Sequence, residues 1–249
     1  MRSFFLSIFL LLFTGLASAQ NFSDMTEAER DDFGAAVRAY LLENPEVIME
    51  AVAVLEQRQN AQAAQNDQQL VAQYYDQLFN DGYSYVAGNP EGSLQIVEFI
   101  DYKCGYCKRA HPEVKVLLEN NPDIRLVIKE FPILGEESTL STRAAIAVLI
   151  NDGDDIYAAF SDALMTENGP LTAITVPLIA ESVGADSAKM MEMIDSPIVS
   201  QMIQANYDLA RRMQISGTPT FVLENQLLRG YVPLAQMQQI VDEARAALN

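Results

Sequence analysis

The sequence predicts an α/β domain with a large helical insertion, preceded by an α-helical N-terminal stalk. Three observations lead there. Residues 94–100 form a nearly continuous apolar run, as expected of a central strand covered on both faces. Directly after it stand the only two cysteines in 249 residues, Cys104 and Cys107, where strand pattern gives way to helix pattern. Strand signals then stop after Phe131 and return only at Thr220, leaving helical patterns alone between two strand-containing blocks.

In chain order, Arg2, the apolar run 4–16 and Ala17-Ser18-Ala19 read as a secretory signal peptide cleaved after Ala19. The run is too short for a spanning helix, which needs about 20 apolar residues. The expected product is exported, to a compartment where disulfides form and persist. Residues 26–43 are helical: Thr26 with Glu29 makes a capping box, and Phe33, Val37, Tyr40 and Leu41 recur on one face. Asn44-Pro45 breaks and restarts the pattern, with Asn44 expected as N-cap and Pro45 at the first helical position. Val47, Ile48, Val52 and Leu55 make a second stripe, which fades into the Ala/Gln-rich stretch 57–69, a long solvated helix or a linker. Two amphipathic segments on a polar rod bury little apolar surface by themselves; they meet copies of themselves or fold back on the second domain, and self-association is the preferred reading.

Residues 84–87 read as a short strand before the turn cluster 88–92, and 124–131 as a further strand ended by Pro132. Helices are expected at 104–120, 138–151, 154–165, 172–182, 186–194 and 197–214. Strands follow at 220–223 and 227–230, and a last helix at 233–248.

A Cys-x-x-Cys at a strand-to-helix junction points to thiol–disulfide exchange. A helix N-terminus carries roughly +0.5 of partial charge and lowers a thiol pKa by about one unit. Lys103, Lys108 and Arg109 are expected to push the same way. Cys104 is the exposed attacking sulfur, and Cys107, one turn on, the inward-facing resolving one. A mere staple is disfavoured, because so short a loop gains less than the ~3 kcal/mol of a 15-residue one. Zinc needs four ligands, and two cysteines and one histidine do not supply them. A Cu(I) thiolate site is the runner-up. No cofactor and no metal are expected.

Glu98 is the one charge in its apolar strand, six residues before Cys104. It is either a buried acid that shuttles the proton of Cys107 or an edge acid facing water. His111 falls two turns along from Cys104, where it either tunes the thiolate or is structural. Met190, Met191 and Met193 read as core packing rather than copper ligands. Pro219, read alone, is an ordinary trans proline opening a strand. The formal net charge of −18 argues against nucleic acid and anionic membranes as partners.

These pieces together resemble the DsbA-like thiol–disulfide oxidoreductases of the bacterial periplasm, which have a thioredoxin-like fold. The resemblance covers residues 83–249. It makes Cys104-Gly105-Tyr106-Cys107 the redox pair, Glu98 the buried acid, Pro112 the helix kink, and Thr218-Pro219 a cis-proline loop facing the cysteines. It implies substrate contacts at Gly105, Tyr106, Thr218 and Pro219, and it equates residues 138–214 with the helical insertion. Gly-Tyr between the cysteines and Thr before the proline look like the DsbC isomerases rather than the DsbA oxidase, implying a less acidic Cys104 and a less oxidising pair. Residues 40–47 resemble the N-terminal module of ScsC-like proteins, some linked to copper tolerance, which makes 20–82 an oligomerisation segment with linker.

The function implied is a protein disulfide isomerase or reductase acting on unfolded or misoxidised client proteins, kept reduced by a membrane partner of DsbD type. The alternatives are a dithiol oxidase served by a DsbB-type partner and, in another class, a Cu(I)-sequestering protein. A homo-oligomer is expected, a trimer first and a dimer second.

Overall fold

A computed structural model describes residues 25–247. The expected leader, 1–19, lies outside the described residues. The chain divides into two units between Gln59 and Asn60.

In the first unit, α1 (Glu27–Glu43) opens with a reciprocal cap: Glu29 N–H donates to Thr26 Oγ1 at 3.4 Å, and Thr26 N–H to Glu29 Oε2 at 2.8 Å. Asn44 acts differently from the sequence expectation. Its backbone N–H and side-chain Nδ2 both donate to the Tyr40 carbonyl, at 2.8 and 2.9 Å, so it closes α1. Only its carbonyl serves the next helix, α2 (Glu46–Gln73), by accepting from Val47 N–H. The side chains of Val37, Tyr40, Ile48, Met49, Val52 and Leu55 all lie exposed.

The second unit is built on a five-stranded sheet of order β1-β3-β2-β4-β5, comprising β1 (Val86–Gly88), β2 (Leu94–Ile100), β3 (Ile124–Glu130), β4 (Thr220–Leu223) and β5 (Gln226–Arg229). Only β2 and β3 run parallel, and a parallel pair needs a crossover, which α4 (Gly105–Asn120) provides. Strand β2 is therefore interior, flanked by β3 and β4, and its side chains divide by parity. Val97 and Phe99 pack with Val127 and Val222 beneath Leu209 of α9 (Pro197–Arg212) and Met213, which caps that helix. The end of α2 and α3 (Tyr75–Phe79) join that face through Val71, Leu78 and Phe79. Leu94 and Ile96 face the other way, onto Leu117 of α4 and Val241 of α10 (Leu234–Ala247).

Strand β1 starts two residues later than the apolar pattern suggests. Ser84 is tied to Asp81, its N–H at 3.0 Å and its hydroxyl at 2.7 Å, and cannot join the ladder.

The insertion comprises α5 (Glu136–Asp152), α6 (Asp154–Thr166), α7 (Thr175–Ser182), α8 (Ser187–Met193) and α9. Its core closes around the buried small residues Ala144, Ala145 and Ala147 of α5, with Phe160, Leu164 and Met190. Met190 is fully buried and Met191 and Met193 pack against the same core. Tyr102, Cys104 and Cys107 belong to this cluster too, so the two cysteines sit where sheet, α4 and insertion meet.

Lys129 of β3 is wholly buried. Its ammonium donates to the Asp81 carboxylate, to the Gln77 carbonyl at 2.8 Å and to Ser84 Oγ at 3.3 Å. Leaving one member of such a pair alone strands a charge in the interior, which costs about 3–5 kcal/mol. Thermal and urea unfolding are therefore expected to show that Asp81→Ala loses stability in that range. The double variant Asp81→Leu/Lys129→Met should recover most of it; a double variant as unstable as the single one would argue against the pairing.

Candidate active site

The loop from β2 to α4 is shaped by Asp101, which is fully buried. Its Oδ1 accepts from Lys103 N–H at 2.8 Å and Ser138 Oγ at 2.7 Å, and its Oδ2 from the N–H groups of Ile133 and Leu134 at 2.8 and 3.1 Å. Its carbonyl accepts Cys104 N–H at 3.0 Å. One carboxylate thus joins the cysteine loop, the segment after β3 and the start of α5, and presents Cys104 as the N-cap of α4.

Cys104 is 8% exposed, less open than expected from its position at a helix start. Its Sγ lies 3.1 Å from the Thr218 carbonyl, to which the neutral thiol donates. Its pKa is lowered to about 5. The largest cause is the hydrogen bond from Cys107; burial opposes it, and the Thr218 side chain and the N–H groups of Cys107 and Tyr106 add to it. Thr218 Oγ1 is buried with no other partner, so its hydroxyl is available to the thiolate that the carbonyl disfavours. The nearby cations are engaged elsewhere, contrary to expectation. Lys103 pairs with Glu137 at 2.8 Å, Lys108 donates to the Glu167 carbonyl, and the Arg109 guanidinium lies 4.6 Å from the centroid of the Tyr231 ring.

Cys107 is 1% exposed, and its thiol is pushed far above its ordinary value. The hydrogen bond to Cys104 is the main cause, followed by burial and by the charge of Glu98. Two identical side chains three positions apart are thus pushed in opposite directions, one thiol down and the other up.

Glu98 is 5% exposed on an interior strand, paired in register with Ile128 and Phe221. Burial pushes it up to about 8. Glu98 and Cys107 line one cavity of about 450 Å³, which His111 also borders. His111 Nε2 sits 2.8 Å from Asp162 Oδ1 of α6, not on the thiolate. Gly105 leaves open space beside the sulfur, with nothing within 4 Å of where a Cβ would project. Tyr106 is 61% exposed, its ring stacked at 6.2 Å on Tyr231. The Thr218–Pro219 peptide bond is cis and leads into β4 opposite Phe99.

Two buried groups escaped the sequence reading. Glu130 accepts from Tyr102 and Tyr157 hydroxyls at 2.6 and 2.7 Å and from Thr142 at 3.0 Å. Burial raises it to about 7 against those three donors. The signal that singled out Glu98, a lone charge in an apolar strand, is missing at Glu130, because β3 also carries Arg125 and Lys129. Asp101, two residues before Lys103 and three before Cys104, had only the weaker signal of an acid ahead of a helix start. Among the described residues, no group of three or more His, Cys, Asp or Glu side chains is placed to hold a metal ion.

Residues 95–242 match the family model of the DSBA-like thioredoxin domain, and residues 29–62 that of the copper resistance protein ScsC N-terminal domain. A thioredoxin-like oxidoreductase from Silicibacter pomeroyi is 43% identical and superposes with a TM-score of 0.65, over 69% of this chain and 97% of that one. A linker-deletion variant of Proteus mirabilis ScsC is 28% identical, with a TM-score of 0.68 over 90% of this chain and 98% of that one. The Na(+)/H(+) antiporter NhaA 1 of Salinispora arenicola is 26% identical over 162 residues, which are 65% of this chain; the match spans only 25% of the antiporter's length. The fold, the cysteine pair at a helix start and the extent of the family match lead to one conclusion: the chain belongs to the DSBA-like thioredoxin domain family of thiol–disulfide oxidoreductases.

Proposed function

We propose that this chain is an exported protein disulfide interchange enzyme, acting as an isomerase or reductase on unfolded or misoxidised client proteins. The observation that carries the reading is the split between the two thiols, with Cys104 lowered to about 5 and Cys107 raised. At neutral pH the first is a thiolate nucleophile and the second a protonated reserve.

The Cys104 thiolate attacks one sulfur of a client disulfide. A Cys104–client disulfide forms, and the other client sulfur leaves as a thiolate. Two exits follow. Attack by a client thiol on the client sulfur releases Cys104 and rearranges the client with no net electron transfer. Attack by Cys107 on the Cys104 sulfur releases the client reduced, and the two electrons come from the cysteine pair. In the second exit the ionised fraction of Glu98, the minor form at neutral pH for a carboxyl raised to about 8, takes the Cys107 proton. In the mixed disulfide no thiolate remains to bond Cys107, but burial and Glu98 still hold it as a thiol. That slows the second exit and lengthens the time available for the first. Thr218 and Pro219 would pair their backbone with a client strand, and Gly105 and Tyr106 would border it.

A pKa of about 5 lies between the ~3.5 of the strong oxidase and the ~7 of thioredoxin. Thiolate stabilisation favours the reduced pair and so makes its disulfide oxidising. The same observation supports a second reading, a dithiol oxidase. Which one operates depends on the membrane partner, a reductant of DsbD type or an oxidant of DsbB type. Export rests on the leader pattern of residues 1–19 and would place the mature chain in the periplasm.

The exposed apolar side chains of the first unit, Val37, Tyr40, Ile48, Val52 and Leu55, support self-association, in a trimer before a dimer. Several catalytic domains on one stalk would hold one client at high effective concentration.

Refolding of a scrambled multi-disulfide substrate tests the central reading: the wild type should accelerate it and Cys104→Ser should not, while equal rates would remove the proposal. Carboxymethylation of reduced protein should titrate near pH 5. At pH 6 the reaction would then run near its plateau, where a thiol of pKa about 8.5 is only roughly 0.3% ionised. An inflection near 8.5 would contradict the thiol split. Sedimentation equilibrium should give an oligomer that Tyr40→Asp/Leu55→Asp converts to monomer; a wild type monomeric at every concentration would refute self-association.

A further inference from the structure

The cavity of about 450 Å³ beneath Cys107 has an asymmetric polar lining. At its inner end is Glu98, with apolar walls from Leu126 and Ile128 of β3. Among the described residues no hydrogen-bond donor of the protein reaches the Glu98 carboxyl. The outer end is bordered by His111 and Lys115 of α4 and by Asp162 of α6. These three side chains are 23%, 54% and 41% exposed and form one cluster: Asp162 Oδ1 lies 2.8 Å from His111 Nε2 and 2.7 Å from Lys115 Nζ. A space of this size with an acid inside and a polar mouth admits water.

We propose that His111, oriented by Asp162, is the proton gate of this cavity, passing to solvent the proton that Glu98 takes from Cys107. The inference rests on the role proposed above for Glu98. A buried carboxyl that accepts a proton in each turnover must lose one before the next, and its route out runs through the cavity mouth. Of the groups there, Lys115 carries a proton already and has no acceptor. Asp162 is held below the usual carboxylate range by hydrogen bonds from Lys115 and then His111, so it is a weak base. His111 is the one side chain of the three with two ring nitrogens, one able to donate a proton while the other accepts. With Nε2–H committed to Asp162, Nδ1 is left as the accepting nitrogen. The remaining titratable group facing the cavity is Tyr85, ahead of β1, which burial and then Asp154 and Asp155 hold above its ordinary value. Ser161 of α6 is the other polar side chain on the wall.

The step balances as follows. Cys107 gives its proton to the Glu98 carboxylate and its sulfur attacks Cys104, and the client sulfur leaves as a thiolate. The Glu98 proton crosses by cavity water to His111 Nδ1, and the imidazolium releases it to a base in solution.

An aryl disulfide whose thiolate is coloured separates the two cysteines in stopped flow with the full reduced protein. The first equivalent is released by Cys104 and the second when Cys107 resolves the mixed disulfide. His111→Gln is expected to slow the second phase about tenfold, less than the roughly 10²–10⁴ of a direct proton-transfer partner. Added imidazole buffer should restore it, whereas the wild type should be insensitive to buffer. Asp162→Asn, which keeps the histidine but removes its anchor, should slow the same phase about threefold and carries the test should His111→Gln fail to fold. Glu98→Gln should slow the second phase without rescue. A second phase within twofold of wild type in His111→Gln, or a slowed one that imidazole leaves unchanged, overturns the gate while a slow Glu98→Gln preserves the acid's role. No effect from Glu98→Gln removes both.

Discussion

The hydrogen bond from Cys107 to Cys104 is the interaction on which the site's chemistry depends. It is the largest cause of both shifts, lowering one thiol and raising the other. A bond between two identical groups makes such a split only if their surroundings already differ. Cys104 has backbone N–H groups at the head of α4 and the Thr218 side chain within reach. Cys107 has Glu98 and a buried wall. The spacing of two residues between the cysteines puts one at the cap and the other on the inner face of the first turn, and the rest of the fold holds that turn still.

Three acids lie buried around this turn, and their partners separate their roles. Asp101 accepts four hydrogen bonds through its carboxylate, and Glu130 accepts three from hydroxyls. Satisfied carboxylates of this kind fix geometry: Asp101 sets the cysteine loop, and Glu130 joins β3 to Tyr102, α5 and α6. Glu98 has no such set of donors and faces a cavity, so its charge is the least supported of the three. An acid that faces a cavity instead of a set of donors is consistent with the proposed proton role rather than with holding a loop.

Much of the fold was legible because it follows from local pattern. The apolar run of β2, the cap Thr26/Glu29 and the helical block between Phe131 and Thr220 each announce themselves within a few residues. That the two cysteines share one helix turn was legible from their spacing. What sequence could not give is pairing at a distance: Lys129 with Asp81, Glu130 with Tyr102 and Tyr157, and His111 with Asp162 are 48, 28, 27 and 51 residues apart. For the same reason the lysines and arginine near Cys104 in sequence were overvalued. Proximity along the chain suggested the sulfur as their partner, but Glu137, the Glu167 carbonyl and the Tyr231 ring are the groups they engage. Asn44 shows the local limit, since one side chain could cap either of two adjoining helices and closes the earlier one.

The acidity of Cys104 bears on which exit the proposed mixed disulfide takes. Thiolate nucleophilicity falls with pKa at a Brønsted slope of about 0.4–0.5, so two units below 7 cost roughly a tenfold loss of attack rate per thiolate. Full ionisation at neutral pH returns a factor of about two. The larger effect is on departure, because a thiol of lower pKa leaves a disulfide faster. In the proposed mechanism Cys104 would be a somewhat slower attacker and a better leaving group, and Cys107, whose thiol is pushed up by the bond to Cys104, burial and Glu98, a reluctant resolver. Both changes favour release by a second client thiol over closure of the Cys104–Cys107 disulfide. That is the partition an isomerase requires, and it follows from two sulfurs, one carboxyl and the helix turn that separates them.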